Sequence, residues 1–112
     1  MRLPNAAYAT VADEKITKYL LDPGHLKGGS KARFFIGYGF TTQSWQTLRD
    51  ALWNHGQQYD VVSTMLLTQP DRTHYVVEGT LDAPNGAKPN IRTVWCIPTG
   101  QRTPHLVTAV PA

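Results

Sequence analysis

The sequence predicts an α+β domain in which two to three N-terminal helices pack on one face of a four-stranded antiparallel sheet. Stretches with helical periodicity precede Tyr59, and four short runs rich in β-branched and aromatic residues follow it. The links between these runs are short and contain turn residues, whereas a parallel crossover needs a dozen or more residues. At 112 residues the chain has room for a single domain, with a helical part at about 1–58 and a β-meander at about 60–112.

Three helices are predicted in the first half of the chain. Each follows a residue type that commonly caps a helix N-terminus, in chain order Asp13, Ser30 and Thr42. Residues 14–21 and 30–38 form the first two helices, and Gly39 ends the second because glycine readily adopts a positive φ. The third helix ends near Gly56, and His55 in its last turn is interpreted as a surface residue that complements the helix dipole. The predicted core residues of this half are Phe34, Phe35, Trp45, Leu48 and Leu52.

Four strands are predicted over residues 61–68, 73–81, 90–97 and 105–110. In the third strand, the period of two places Ile91, Thr93, Trp95 and Ile97 on one face and Arg92, Val94 and Cys96 on the other. The helices must cover one of these faces. Trp95 is interpreted as a core residue, with a platform for stacking a base as the alternative, and Cys96 as a small buried hydrophobe.

The composition excludes several classes of protein and site. A single cysteine rules out an intrachain disulfide and a cysteine-rich zinc site. The four histidines lack the spacing of a metal site, so we expect neither a metal nor another cofactor. No apolar run approaches the roughly 20 residues of a membrane span, and the first residues lack the apolar segment of a signal peptide. We therefore expect no interaction with a membrane.

Basic residues are unevenly distributed along the chain. Residues 23–48 and 83–112 together hold six of the eleven basic residues and none of the eight acidic ones. This asymmetry predicts an anionic partner, with RNA as the first candidate. The most informative stretch is residues 24–33, where a histidine, three cations and flexible glycines lie at the entry to a helix, whose free N–H groups can bind anions. A solvated helix–helix turn is the alternative interpretation of this stretch.

The sequence resembles a family of small bacterial domains along most of its length. In the first half the resemblance is carried by Leu3-Pro4-Asn5, Lys15-Ile16, Tyr19-Leu20-Leu21, His25, Gly28, Lys31-Ala32-Arg33-Phe34-Phe35 and Gly39. In the second half it is carried by Tyr75, Gly79, Leu81, Asn85-Gly86, Arg92-Thr93-Val94-Trp95, Leu106-Val107-Thr108-Ala109 and Pro111. Members occur as toxin-like partners in toxin–antitoxin pairs or as the C-terminal tips of polymorphic toxins. Their element order is similar to that of the barnase–EndoU–colicin–RelE superfamily of metal-independent RNases.

This resemblance implies an endoribonuclease that cleaves RNA by general acid/base transesterification. His25 would act as the base or the acid, and Lys31, Arg33 and Arg92 would hold the phosphate while Thr108 orients it. Lys31 and Arg33 diverge by about 200° on a helix, so one of them is expected to face the site, and Lys31 is the stronger choice. The further residues expected to contact the substrate are Lys27, Gly28 and Trp95.

The partner expected from the resemblance, besides RNA, is a cognate antitoxin or immunity protein with an acidic surface. The expected location is the cytoplasm, either of the producing cell or of a target cell entered as part of a larger toxin. A non-catalytic binding module remains the alternative function. In that case the chain would be an antitoxin, an immunity protein or an RNA- or protein-binding adaptor.

Overall fold

The computed structural model describes residues 1–112 and confirms the predicted α+β class, with three helices followed by four strands. Helix α1 begins as an α-helix over Asp13–Lys15 and continues as a π-helix over Ile16–Leu20. A 3-10 turn at Ala6–Tyr8 precedes it. The remaining elements are α2 (Gly29–Gly37), α3 (Trp45–Gln58), β1 (Val61–Leu67), β2 (Arg72–Thr80), β3 (Asn90–Pro98) and β4 (His105–Pro111).

The four strands form one sheet in sequence order, and every neighbouring pair is antiparallel, as predicted. The register places Val77 opposite Thr93 and Thr93 opposite Ala109. All three side chains are buried, so this row lies on the face that the helices cover. Strand β1 differs from the others, because it has no buried residue and exposes apolar side chains such as Met65 and Leu66.

The helix starts differ from the predicted caps by one or two residues. The N-cap residues are Ala12, Gly28 and Ser44, and none of them makes a capping bond with its side chain. The predicted end of α2 is confirmed. Gly39 has a φ of 99°, and the N–H groups of Gly39 and Phe40 donate to the carbonyls of Ile36 and Phe35. This is the hydrogen-bond pattern of a glycine-terminated helix.

The hydrophobic core lies between the helices and the sheet. Three of the five core residues predicted in the helical half, Phe35, Leu48 and Leu52, are fully buried. Phe34 and Trp45 are only half-buried and pack against the edge of the core. Trp95 and Cys96 are buried as well, which confirms the interpretation of both as interior residues.

His55 is buried, so the interpretation of this residue as a surface histidine is wrong. It connects α3 to the sheet through a chain of hydrogen bonds. The indole N–H of Trp95 donates to Thr93 Oγ1 (2.9 Å), and the Thr93 hydroxyl then donates to His55 Nδ1 (3.0 Å). The remaining His55 Nε2–H donates to the carbonyl of Gly79 (3.0 Å). Burial lowers the pKa of His55 and outweighs the backbone hydrogen bonds that raise it, which favours the neutral ring.

No helix in the structure combines the length and the apolar character that crossing a membrane requires.

Candidate functional site

A cleft of about 580 Å³ opens between α1, the loop that precedes α2, and the edge strand β4. We call it the Tyr19 cleft. Its lining residues are Glu14, Lys15, Tyr19, His25, Lys27, Val107 and Thr108. One acidic and two basic side chains thus lie around a tyrosine, a histidine and a threonine.

The Tyr19 hydroxyl lies 2.9 Å from the hydroxyl of Thr108. The ammonium groups of Lys15 and Lys31 lie over the tyrosine ring, 5.4 and 5.3 Å from its centroid. Partial burial raises the pKa of Tyr19. This effect is outweighed by hydrogen bonds to Thr108 and Lys31 and by the positive charges of Lys31 and Lys15, all of which lower the pKa. The net pKa therefore lies below the ordinary value of 10.0, so the phenol gives up its proton more easily than an isolated tyrosine.

Two departures from regular secondary structure bring Tyr19 and Thr108 together. In α1 the N–H of Leu21 donates to the carbonyl of Ile16 (2.9 Å), so the last turn of the helix is widened by one residue. In β4 the pairing shifts from Val94 opposite Thr108 to Trp95 opposite Leu106, which leaves Val107 as the extra residue of a bulge. Bulges redirect side chains, and here Val107 and Thr108 both line the cleft.

His25 organises the loop before α2. Its Nδ1 accepts the N–H groups of Lys27 (3.0 Å) and Gly28 (2.9 Å), while its carbonyl accepts the N–H of Gly29 (2.9 Å). The histidine therefore occupies backbone donors that the sequence analysis left free for an anion. Because Nδ1 is an acceptor, the proton of the neutral ring lies on Nε2, which can donate to a ligand in the cleft.

Gly28 lies directly beneath the Tyr19 ring. A Cβ atom at this position would lie 2.5 Å from Cδ1 of the tyrosine, so a larger residue would displace the ring. The Gly28 N–H is already bonded to His25. Gly28 therefore shapes the cleft, and its N–H is bonded to His25 rather than free for a phosphate.

The structure brings together some of the predicted site residues and separates others. His25, Lys27 and Thr108 line the Tyr19 cleft, and Lys31 reaches the same tyrosine from α2. Neither Lys31 nor Arg33 is a lining residue of the cleft, but the Lys31 ammonium lies over the Tyr19 ring whereas Arg33 is exposed on α2, so Lys31 is the residue of this pair that lies next to the cleft.

Arg92 and Trp95 do not belong to the site. The Arg92 side chain donates to Glu78 Oε2 (2.9 Å) and lines no part of the cleft. Trp95 is fully buried between α3 and the sheet, so no face of its indole is open to a base. Neither predicted contact is therefore part of the Tyr19 cleft.

Three polar residues of the cleft were missed by sequence reasoning, namely Glu14, Lys15 and Tyr19, and so was the apolar Val107. Ile16, Tyr19 and Leu20 have the i, i+3, i+4 spacing that is typical of the buried face of a helix. Ile16 and Leu20 are indeed fully buried, but the tyrosine is only half-buried. The one available signal was the phenolic hydroxyl itself, because a partly buried tyrosine hydroxyl usually finds a hydrogen-bond partner.

No group of three or more histidine, cysteine, aspartate or glutamate side chains in the structure could hold a metal ion. The polar groups of the cleft are instead hydroxyls, ammonium groups, an imidazole and one carboxylate. Such a set can bind an anion and move protons.

The fold and the site define a small α+β domain with a cation-flanked tyrosine cleft at one sheet edge. Residues 2–112 match a family described as Domain of unknown function (DUF6883), and the chain belongs to this family. No curated protein matches the chain, and neither does any solved structure.

Proposed function

We propose that the Tyr19 cleft binds a phosphodiester of RNA and cleaves it without a metal ion. One observation carries this proposal: the Tyr19 hydroxyl is bonded to Thr108 and flanked by two ammonium groups in a cleft that His25 also lines. Positive charges and hydrogen-bond donors around a phosphate stabilise the additional negative charge of a pentavalent phosphorus. Tyr19 and Thr108 lie next to these charges and can exchange protons with the reacting oxygens.

The reaction needs one proton acceptor and one proton donor. The ribose 2′-oxygen attacks phosphorus and loses its proton, while the bond from phosphorus to the 5′-oxygen breaks and that oxygen takes up a proton. The products are a 2′,3′-cyclic phosphate and a free 5′-hydroxyl. Glu14 is the only carboxylate that lines the cleft, so we assign it as the proton acceptor. Tyr19 is the donor, because its lowered pKa suits proton transfer to the leaving oxygen.

The role of His25 changes from that of the sequence-based hypothesis. A general base would need a free lone pair on Nε2, but the two N–H groups directed at Nδ1 favour the tautomer with the proton on Nε2. We therefore assign His25 Nε2–H as a hydrogen-bond donor to a phosphate oxygen. Lys15 and Lys31 supply the positive charge, and Lys27 lies at the mouth formed by the loop.

Cleavage of a fluorescent RNA in the presence of EDTA tests the proposal. We expect Tyr19→Phe to lower the rate by about two to four orders of magnitude, the usual contribution of a general acid. The matched control is Tyr59→Phe, because Tyr59 also bonds a threonine hydroxyl, that of Thr80 (2.7 Å), but lies outside the cleft. This control should cleave RNA at the wild-type rate.

His25 requires a variant that keeps its structural contact. His25→Asn retains a side-chain acceptor for the two N–H groups and removes the Nε2–H donor, whereas His25→Ala removes both. We expect a loss of about 100-fold for the asparagine variant, comparable to that for one hydrogen-bond donor to a developing oxyanion. If the wild-type protein binds RNA through Lys31 but never cleaves it, the ribonuclease proposal is wrong and the non-catalytic binding module takes its place.

The toxin context adds a protein partner to the proposal. The resemblance described above associates this kind of domain with cognate inhibitors, and the Tyr19 cleft offers such an inhibitor a surface with more cations than carboxylates. We propose an acidic inhibitor that covers the cleft. Its association rate should fall steeply as the salt concentration rises, and Lys31→Gln should reduce this salt dependence. A rate that does not depend on salt would contradict this partner.

A further inference from the structure

The Tyr19 cleft continues past β4 into a second concavity. This second space has a volume of about 380 Å³, and Lys15 and Val107 line both spaces. We call the second space the His74 groove. Its lining residues are Lys15, Pro70, Arg72, His74, Cys96, Pro98, His105 and Val107.

The sheet register aligns the polar residues of the His74 groove. His74 on β2 lies opposite Cys96 on β3, and Cys96 lies opposite His105 on β4. Directly opposed residues of antiparallel strands point to the same face, so the two histidines flank Cys96 on one side of the sheet. Arg72 lies two positions before His74 on β2 and faces the same side. No carboxylate lines this groove, which makes it more uniformly basic than the Tyr19 cleft.

We propose that the His74 groove binds a second phosphate of the same single-stranded RNA, so that the strand lies across β4 between Tyr19 and Arg72. This inference rests on the function proposed for the Tyr19 cleft, because one strand occupies both spaces. Lys15 lies at the junction and contacts both parts of the ligand. His105 precedes Thr108 by three residues, so the two parts are separated by about 10 Å along the strand and require an oligonucleotide rather than a mononucleotide.

Binding in the groove should depend on pH. Partial burial lowers the pKa of His74, and the neighbouring charges of Arg72 and His105 lower it further. The other groups that face His74 are Lys15 from α1 and Cys96 from β3, and no carboxylate lines the groove. A bound phosphate supplies the missing negative charge and favours the protonated histidine. Affinity for RNA should therefore rise as the pH falls through the range in which histidine titrates.

The test measures the affinity of the protein for oligouridylates with 2′-O-methyl groups. These ligands cannot be cleaved by the proposed reaction, because the attacking 2′-hydroxyl is blocked. We expect a hexanucleotide to bind more tightly than a dinucleotide. The double variant His74→Gln/His105→Gln should weaken hexanucleotide binding by about tenfold at about pH 5.5 and reduce its pH dependence to that of dinucleotide binding. Dinucleotide binding should not change, since a dinucleotide fits the Tyr19 cleft alone. Lys88→Gln is the charge control, because Lys88 pairs with Asp82 outside both spaces.

Arg72 provides a second measurement. Its Nη1 donates to the carbonyls of Thr68 and Pro70, so Arg72→Gln also removes bonds that hold the turn between β1 and β2. Arg72→Lys keeps the positive charge without the same bonds. Hexanucleotide affinity should fall about tenfold in Arg72→Gln and recover in Arg72→Lys if the charge binds phosphate.

The outcomes separate the two proposals. Length-dependent affinity without any cleavage of unmodified RNA would overturn the ribonuclease proposal alone. Cleavage with a hexanucleotide affinity equal to that of the dinucleotide, or unaffected by the double variant, would overturn the His74 groove alone. In that second case an acidic protein becomes the occupant to test.

Discussion

Two clusters of the same four residue types lie on different sides of this fold. In each, a tyrosine hydroxyl contacts a threonine hydroxyl, a histidine ring packs against the tyrosine, and a glycine lies beneath the tyrosine ring. The first cluster consists of Tyr19, Thr108, His25 and Gly28, and the second of Tyr59, Thr80, His55 and Gly79. The ring centroids of histidine and tyrosine lie 5.0 Å apart in the first cluster and 5.1 Å apart in the second.

The two clusters differ in the charge of the pocket beside them and in the hydrogen bonds of their histidines. Lys15 and Lys31 lie over Tyr19, whereas the pocket beside the Tyr59 cluster is lined by the carboxylates of Asp50 and Asp82 and by no lysine or arginine. His55 uses both ring nitrogens inside the protein, while His25 uses only Nδ1. The second cluster therefore supports the structure, because both ring nitrogens of its histidine are bonded within the protein. In the first cluster, Nε2 of the histidine is left to bond a ligand near two ammonium groups.

The largest expected effect comes from breaking the buried hydrogen-bond chain. Thr93→Val should lower the free energy of unfolding by about 2–6 kcal/mol, because His55 and Trp95 each lose a buried partner at about 1–3 kcal/mol. Urea unfolding measures this change. Thr93→Ser keeps the hydroxyl and should recover most of the stability. If Thr93→Val is as stable as the wild type, the network does not hold α3 on the sheet.

The second effect is a loss of stability in acid. The pKa of His55 is lowered in the folded protein, so the unfolded chain binds more protons below the ordinary value of 6.5. This contribution to stability is complete above about pH 6.5 and is lost as the pH falls through the pKa of the folded state. Unfolding measured from about pH 8 to about pH 5 should show this loss, and His55→Gln should reduce it.

His74 provides the comparison for this acid effect. Its pKa is also lowered, so it contributes with the same sign, but it is only half-buried. His74→Gln should therefore leave most of the acid-side loss of stability in place. If His74→Gln reduces the loss of stability in acid more than His55→Gln does, the buried network is not the main pH-sensitive element.

Much of the fold could be predicted because it depends on local patterns. The short turn-forming links predicted the antiparallel order of the sheet, and Gly39 predicted the end of α2. The predicted helix starts differ from the observed ones because the prediction relied on capping side chains, and none of the observed N-cap residues makes a capping bond. At Ser44, for example, the N–H bonds to the side chain of Thr41 instead. His55 was misinterpreted because its two partners, Thr93 and Gly79, are distant in sequence and only the tertiary structure brings them to it.

The candidate site was predicted only in part, for a related reason. His25, Lys27 and Lys31 lie in one loop and the following helix, so their proximity follows from the sequence. Tyr19 looked like a core residue, and its position in the cleft depends on the π-helical turn of α1 and the bulge at Val107. Neither irregularity has a sequence pattern of its own. The resemblance supplied Thr108, and the structure supplied the tyrosine that contacts it.

Removal of either tyrosine hydroxyl should have the smallest effect on stability. Tyr59→Phe removes the hydroxyl that contacts Thr80 and should lower the free energy of unfolding by about 0.5–1.5 kcal/mol, the usual net contribution of one hydrogen bond. Tyr19→Phe removes the equivalent contact to Thr108 and should cost a similar amount of stability, because each variant loses one hydroxyl–hydroxyl hydrogen bond and neither pair is fully buried. The two variants should differ in RNA cleavage alone, with Tyr59→Phe unaffected. Thermal or urea unfolding together with the cleavage assay makes the comparison. If Tyr19→Phe loses several times more stability than Tyr59→Phe, the Tyr19 hydroxyl is a structural element, and a loss of cleavage in that variant no longer identifies a proton donor.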